Sequence, residues 1–505
     1  MSKKENEQMV EETTAPAAND AAAAKNPSPF VSKLDKFFGI TAAGSTFKTE
    51  IIGGLTTFFA MCYILIVNPS QMSGGIQVVW SAVFIATAIG AIIGTLLMAL
   101  FAKMPFAQAP GMGLNSFFFV SFMLFGFGSA AAFTPEAYSA GMSIILVAGA
   151  LFMVLSFTGV RKKIAMSMPA CLKKAIPAGI GLFIAFIGMQ NAGIIETNQY
   201  VLVQFVNLNV YTGGATWYSI TPAIVALLGL FSIGILSKTP LKKASVILGI
   251  VISTALYYLF NIGNPAAFTA FQSIINPADT FVAFGQVGFG AAFKGFQYWT
   301  TGAALSIVLL VITFCLVDMF DTFGTLQGTA AEAGMLEEDG NPKNLGKCLM
   351  SDSLATVAGG ILGTSTVTTF VESSAGVSAG ARTGFSSVIV AGMFLIAMFL
   401  SPLASIIPTA AAAPALIYVG VLMLKSIKEV DFSDMTAAIP AFLTVIMMPL
   451  TYSISNGIGI GMISYIILKA CSIRSKADFI SFLKNDTVVL VIAILFALRF
   501  FLVTM

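Results

Sequence analysis

The sequence contains no histidine, and charged residues are scarce throughout it. The absence of histidine excludes histidine-ligated zinc, histidine proton relays and nucleophiles activated by histidine. The five cysteines show no paired spacing, so free thiols are expected rather than disulfides. No nucleophile with a neighbouring base and no metal cluster can be recognised. The sequence therefore predicts neither an enzyme nor a resident metal or cofactor.

The balance of apolar and charged residues indicates the class of protein. Of 505 residues, 57% are hydrophobic and only 10% are charged. A soluble domain of this length does not need so much apolar surface for its core. The net charge of +3 is too small to indicate a nucleic-acid partner. We therefore predict an all-α polytopic membrane protein surrounded by lipid.

Long apolar segments, each near the roughly 20 residues that cross a bilayer, repeat along the chain. Fourteen transmembrane spans are predicted, at about 50–69, 78–102, 104–126, 141–159, 175–195, 219–237, 244–262, 301–330, 346–362, 362–382, 384–401, 410–425, 435–450 and 454–470. Residues 1–36 mix Lys, Glu, Ala and Pro without periodicity, which predicts a disordered cytoplasmic tail. The run 488–505 is predicted to be either a further span or an interfacial helix.

Basic residues mark the side of the membrane on which each loop lies. They follow the even-numbered spans, as at Lys103, Lys173, Lys174, Lys238, Lys242, Lys425, Lys428 and Lys469. The opposite loops contain Lys294 as almost their only basic residue. Since cytoplasmic loops are enriched in Lys and Arg, the N-terminus is expected in the cytoplasm of a multi-pass protein of the cell membrane.

Two of the predicted spans are interrupted at matching positions. The segment 362–384, LGTSTVTTFVESSAGVSAGARTG, is too polar for an ordinary span and predicts a short strand followed by a half-helix. Pro110, Gly111 and Gly113 interrupt the span at 104–126. Seven spans per half is an odd number, so any repeat between the halves must be inverted. Paired interruptions of this kind predict a binding site between them, near the middle of the membrane.

Acidic side chains lie close to these interruptions. Asp318, Asp321 and Thr325 share one face of the eighth span, and Glu372 lies in the tenth. Because a carboxylate in a span costs roughly 2.5–3.5 kcal/mol on insertion scales, a functional role is the default interpretation. The alternative is that these acids cap broken helices or bond across the bundle. Asn115 is similarly a candidate ligand or the cap of its own half-helix.

Several stretches together resemble a known family. They are TTFFAMCYILIVNPS, APGMGLNSFF, GIGLFIAFIGMQNAGI, FDTFGT and GTSTVTTFVESSAGVSAGARTG. Over about residues 37–470 the chain is similar to the AzgA-like purine permeases, the adenine, guanine and hypoxanthine carriers of the nucleobase:cation symporter-2 (nucleobase-ascorbate transporter) superfamily. The resemblance implies a 7+7 inverted repeat, with strands and half-helices in spans 3 and 10. The implied division is a tail (1–36), a first repeat (37–262; core spans 1–4, gate spans 5–7), an extracytoplasmic linker (263–300), a second repeat (301–471; core spans 8–11, gate spans 12–14) and a C-terminal tail with a hydrophobic helix (472–505).

The resemblance also implies site residues. The substrate-binding set expected from it is Asp318, Glu372, Asn115, Gly113, Phe370 and Val371. Ser373 occupies a position where carriers of oxidised purines have Asn, which favours the purine branch. Carboxylates and an amide suit the edges of a neutral purine, and Phe117, Phe118, Phe320 or Phe370 could cover a face of the ring.

The expected function is import of purine nucleobases by proton symport with elevator-type alternating access. With no histidine present, the coupling proton would be carried by Glu372, Asp318 or Asp321, and sodium is the rival ion. The alternative function is an anion carrier or channel of the same fold, but such a site would need Arg or Lys at the interruptions. The preferred purine and the oligomeric state are left open, with a homodimer as one alternative.

Overall fold

A computed structural model describes most of the chain. The described residues are 29–112, 114–115, 118, 134–159, 164, 167–198, 200–209, 216–268, 275–299, 304–332, 334–337, 341–475, 479–480, 482, 484 and 486–502. The helices are α1 (Pro29–Phe38), α2 (Phe47–Met61), α3 (Ile64–Met72), α4 (Gln77–Leu97), α5 (Pro135–Phe157), α6 (Ala170–Asn191), α7 (Trp217–Leu236), α8 (Ser245–Phe260), α9 (Pro277–Ala283), α10 (Ala291–Gly295), α11 (Ala304–Glu332), α12 (Leu345–Leu362), α13 (Ser373–Ser378), α14 (Gly384–Ala397), α15 (Ser401–Ser405), α16 (Thr409–Met423), α17 (Met435–Leu450), α18 (Ile454–Cys471) and α19 (Thr487–Leu502). The strands are β1 (Gln108–Pro110), β2 (Ile195–Thr197), β3 (Val203–Phe205) and β4 (Val367–Thr369).

Helix dominates because lipid offers the backbone no hydrogen-bond partners. Within the described part of the chain, eight helical stretches are long and apolar enough to cross a membrane: Phe47–Met72, Gln77–Ala102, Pro135–Phe157, Ala170–Asn191, Trp217–Leu236, Leu310–Gln327, Thr409–Glu429 and Ile454–Cys471. Shorter apolar helices cover Ser245–Phe260, Gly384–Ala397, Met435–Leu450 and Thr487–Leu498. A multi-pass membrane protein is therefore confirmed, while the count of fourteen spans stays a prediction.

Hydroxyl side chains start several of these helices. Thr46 accepts a hydrogen bond from Thr49 N ahead of α2, and Ser453 accepts one from Asn456 N ahead of α18. Thr216 and Ser219 form a reciprocal capping box at the start of α7. Each such cap contributes about 1 kcal/mol by satisfying an amide that has no partner within its helix.

The two strands expected at the interruptions pair with each other. β1 and β4 are antiparallel, with Ala109 opposite Thr368. Two further backbone bonds extend the pairing, from Gly111 N to the Thr366 oxygen at 2.8 Å and from Phe370 N to the Ala107 oxygen at 3.0 Å. The exposed amides of each interruption are thus satisfied by the other, which permits extended backbone at membrane depth.

The membrane helices pack in two groups. The first group contains α2, α3, α4, α5, α11, α12, α13 and α14 together with the β1–β4 pair. The second group contains α6, α7, α8, α16, α17 and α18. Helices contact members of their own group far more extensively than members of the other. The interface between the groups is therefore the place where relative movement disrupts the least packing.

Three segments have structure that the sequence analysis did not specify. Residues 29–36, predicted to be disordered, belong to helix α1, because Phe30, Leu34 and Phe37 recur at helical spacing and give it one apolar face. The first span is divided at residues 62–63, between α2 and α3. In the predicted linker between the repeats, helices α9 and α10 pack against α4 and α5.

The C-terminal apolar run also has a defined structure. Residues Thr487–Leu502 form α19, which packs against α18. Sixteen residues of helix extend about 24 Å, less than the roughly 30 Å hydrocarbon thickness. The length alone leaves both predicted alternatives, a span or an interfacial helix, in place.

Candidate functional site

A cavity lies where the β1–β4 pair meets the interface between the two helix groups. From the first group it is lined by Gly111, Met112, Asp321, Thr325, Thr368, Thr369, Phe370, Val371 and Glu372. From the second group it is lined by Ile180, Ile184, Val419 and Met423. The volume of the cavity is about 40 Å³. Small-molecule pockets typically have about 300–1,000 Å³, so this cavity must widen to enclose a ligand.

Two acidic residues face this cavity from different spans. Asp321 comes from α11 and is 8% exposed, and Glu372 follows β4 and is 9% exposed. Neither Lys nor Arg is among the lining residues. Buried carboxylates are costly to keep without partners, so a site with two acids and no base favours a ligand that donates hydrogen bonds.

A tyrosine holds the Glu372 side chain in place. The Tyr63 hydroxyl donates a hydrogen bond of 2.5 Å to Glu372 Oε1. Tyr63 lies between α2 and α3, where the first span is divided, and its ring is buried. One carboxylate oxygen is therefore oriented by the protein, while the second is not used by this bond.

Backbone and small side chains shape the wall beside Asp321. A Cβ atom at Gly111 would lie 2.9 Å from Thr368 Cγ2 and 3.7 Å from Asp321 Oδ2. A larger residue at position 111 would therefore press on β4 and approach the Asp321 carboxylate. Glycine at this position lets the two strands approach closely beside the cavity.

The structure places Asp318 one turn away from this cavity. Asp318 is buried, and Thr356 of α12 donates a 3.2 Å hydrogen bond to its Oδ2. The Thr356 hydroxyl also lies 3.2 Å from the oxygen of Val367 in β4. Asp318 is thus tied to the strand that forms the site, although it does not line the cavity. Its substrate and proton roles remain predictions.

Asn115 belongs to a separate network. Its Nδ2 donates to Asn68 Oδ1 at 2.6 Å and to Gln71 Oε1 at 3.1 Å. Asn68 in turn donates to Thr87 at 2.5 Å and to Thr364 at 3.0 Å. The side chain of Asn115 therefore bonds to α3 rather than capping its own segment, and it does not line the cavity.

The remaining predicted site residues differ in whether they line the cavity. Phe370 and Val371 line the cavity beside Glu372, and Phe118 is fully buried without lining it. Gly113, Phe117 and the Phe320 side chain lie outside the described residues. Among the aromatic candidates that the structure describes, Phe370 is the one positioned to cover the face of a ligand.

Sequence reasoning missed three contributors to this region. Tyr63 orients Glu372, and Asp352 of α12 is a fully buried acid that accepts 2.9 Å bonds from Thr322 at both carboxylate oxygens. The Ser373 hydroxyl accepts a 2.9 Å bond from Ala107 N and so joins the two interrupted spans. An acid in an otherwise apolar span was a usable signal for Asp352. The partners of Tyr63 and Ser373 are too distant in sequence for any local signal.

An acid-lined cavity at the crossing of two interrupted spans defines a membrane transporter. The chain is structurally similar to the transmembrane domain of the cyanobacterial bicarbonate transporter BicA, with a TM-score of 0.56 and 15% identity over 81% of this chain and 97% of that one. It is also similar to the inward-facing murine anion transporter Slc26a9, with a TM-score of 0.53 and 11% identity over 92% of this chain and 75% of that one. These similarities establish the fold, which is the predicted 7+7 inverted repeat.

Sequence comparison identifies the family. The profile described as "Permease family" matches residues 48–460, and the chain belongs to that family. It is 36% identical over 470 residues to the adenine permease AdeQ of Escherichia coli K12, covering 93% of this chain and 96% of the relative. It is 38% identical over 451 residues to the guanine/hypoxanthine permease PbuG of Bacillus subtilis 168, covering 88% of this chain and 95% of the relative. The predicted resemblance is confirmed, and the protein is a permease and not an enzyme.

Proposed function

We propose that this permease imports the purine nucleobases adenine, guanine or hypoxanthine across the cell membrane by proton symport. The observation that carries the proposal is the pairing of Asp321 and Glu372 across one cavity, at the point where both interrupted spans cross. We also propose that the N-terminus lies in the cytoplasm, because the distribution of Lys and Arg predicts this orientation. The names of the relatives support purines as the substrate class.

The chemistry of the cavity suits a neutral purine. Carboxylate oxygens accept hydrogen bonds from the ring and exocyclic N–H groups on a purine edge. The ring of Phe370 offers an apolar surface for a flat face, and Ile180 and Val419 add further apolar lining. A neutral ligand also avoids placing a second negative charge beside two acids.

The structural neighbours suggest an anion as the alternative substrate. Both neighbours are named as transporters of bicarbonate or anions. In this chain the described cavity lining offers an anion two acids and no basic side chain. Repulsion by these acids would oppose anion binding, so nucleobase transport is favoured.

Proton coupling is proposed because carboxylates are the titratable side chains that line the cavity. Asp321 and Glu372 can each carry one proton, and neither histidine nor lysine is present there to do so. Sodium coordinated by the same oxygens is the rival coupling ion.

Elevator-type movement is proposed because the polar and the apolar lining of the cavity come from different helix groups. All of its polar lining comes from the first helix group, and the second contributes only Ile180, Ile184, Val419 and Met423. An apolar surface can slide past a polar site without breaking hydrogen bonds. Movement of the first group as a unit would therefore carry the substrate with it.

Uptake measurements test the proposed function. Labelled adenine, guanine and hypoxanthine would be supplied to cells that lack their own purine carriers and express this protein. We expect accumulation of at least one purine by the wild type and none by Glu372→Gln, which keeps the side-chain size but cannot carry the charge or the proton. The control is Glu196→Gln in the exposed β2–β3 hairpin, which should accumulate normally. Normal accumulation by Glu372→Gln at equal membrane abundance would refute the assignment.

A further inference from the structure

A second polar cavity lies at the ends of α3 and α6 and the beginning of α16. Its volume is about 250 Å³, compared with about 40 Å³ for the cavity of Asp321 and Glu372. The two cavities have no lining residue in common. We refer to the second as the outer cavity, because the proposed topology places these helix ends on the extracytoplasmic side.

The two cavities follow one another along the same pair of helices. On α6 the acid-lined cavity reaches Ile184, and the outer cavity begins at Ile187. On α16 the corresponding residues are Val419 and Leu416. A separation of three residues places side chains on the same helix face, about 4.5 Å apart along the axis. A ligand leaving one cavity along these faces therefore meets the other.

The outer cavity has the groups that recognise a neutral heterocycle. Gln71 and Asn191 provide side-chain amides, and no charged residue is among the described residues that line the cavity. Gln71 Oε1 accepts a 3.1 Å bond from Asn115, and this bond fixes the orientation of the Gln71 amide. Within the described part of the chain, the Gln71 Nε2 group has no acceptor and remains available to a ligand.

An aromatic ring completes the lining of the outer cavity. The Tyr452 ring is held by edge contacts with Phe183 and Phe186 of α6, at centroid distances of 5.4 and 6.3 Å. Its backbone φ of 52° lies in the left-handed region, which a bulky residue rarely adopts. Backbone of this kind is concentrated at functional sites, and here it presents the ring to the cavity.

We propose that the outer cavity is a second purine-binding site, which captures the nucleobase before it reaches Asp321 and Glu372. This inference depends on the proposed nucleobase transport. Gln71 and Asn191 bond the edge of the purine, and Tyr452 covers one face. Because the lining is uncharged, capture at this site involves no proton, and proton loading belongs to the acid-lined cavity alone.

The test compares uptake kinetics of Asn191→Leu and Gln71→Leu with the wild type. Asn191 is exposed and its side chain makes no hydrogen bond with the described residues, so its replacement leaves the packing intact. The control is Ser70→Ala, since the Ser70 hydroxyl lines the same cavity but is already bonded to the Ile66 oxygen and to Trp80 Nε1. Binding stoichiometry would be measured on the full-length protein in detergent, with labelled adenine, guanine and hypoxanthine as probes.

Loss of one neutral hydrogen bond should raise KM about threefold to tenfold in each of the two amide variants. The maximal uptake rate should stay at the wild-type value. At a purine concentration that just fills both sites of the wild type, the measured stoichiometry should fall from two purines per chain toward one. Ser70→Ala should keep the wild-type KM and stoichiometry. Unchanged KM and stoichiometry in both amide variants would refute the outer site while leaving the proposed transport intact. A wild type that accumulates none of the three purines would instead refute the proposed function.

Discussion

The hydrogen bond from Tyr63 to Glu372 allows the charge state of the candidate site to be measured. Replacing Tyr63 by Phe removes one hydroxyl and keeps the ring, which is only 1% exposed. The bond joins the divided first span to the end of β4 across a sequence separation of 309 residues. Its loss should therefore weaken the contact between the two halves of the chain at a single point.

The expected magnitude follows from the geometry. A hydrogen bond to an ionised group contributes about 1.5–3 kcal/mol, whereas one between neutral groups contributes about 0.5–1.5 kcal/mol. The acceptor is an acidic side chain, and its ionised form accepts the stronger of these two kinds of bond. We therefore expect a coupling energy of about 1.5–3 kcal/mol between Tyr63 and Glu372.

A double-mutant cycle isolates this energy. Free energies of unfolding would be measured in mixed micelles for the wild type, Tyr63→Phe, Glu372→Leu and the double variant. Leucine is used because glutamine would still accept the bond. If Tyr63→Phe destabilises the protein equally with and without Glu372→Leu, the two side chains are not coupled and the proposed orientation of Glu372 is wrong. A coupling near 0.5 kcal/mol would contradict the ionised state.

Four further outcomes are expected. Uptake should increase as external pH falls, stop with a protonophore and persist without sodium; a strict sodium requirement would contradict proton coupling. A cross-link between cysteines at Thr325 and Met423 should stop transport, with each single cysteine variant as control, and full transport by the cross-linked protein would exclude the elevator. Ser373→Ala should lower the free energy of unfolding by about 1–3 kcal/mol, because a buried amide of the third span loses its acceptor, whereas Ser373→Thr should lose less. Gly376→Ala should lower the free energy of unfolding by about 1–3 kcal/mol, because the added Cβ would overlap the backbone of α2. The control is Gly392→Ala, which has open space around it and should be neutral or stabilising. Equal effects of the two substitutions would contradict the close packing at Gly376.

Composition was sufficient to predict the parts of the fold that lipid constrains. Apolar segments of spanning length have one stable outcome in a bilayer, and a segment like 362–384, which is too polar to face lipid, must be interrupted and protected. The strand at Val367–Thr369 and the half-helix at Ser373–Ser378 lie where this reasoning places them. By contrast, α1 was missed because its surroundings are polar, although its own apolar residues follow a helical period.

The site was only partly predictable, because side-chain direction depends on distant contacts. Asp318 and Asp321 lie three residues apart on α11 and share a face by spacing alone. The structure separates them, since Thr356 bonds Asp318 while Asp321 reaches the cavity. The partner of Glu372 is even less accessible to sequence reasoning, because Tyr63 lies at a division of the first span that its apolar composition does not reveal.

The antiparallel pairing of β1 with β4 also constrains how the protein is made. Gln108 and Thr369 stand opposite each other, although 261 residues separate them in the chain. During synthesis β1 is therefore inserted long before β4 exists. Until β4 is made, the amides of β1 lack their strand partners. Closing so long a loop is also slow and entropically costly. The first half alone would expose unpaired backbone to lipid, so a ribosome that stalls before β4 leaves a fragment suited to recognition by membrane quality control.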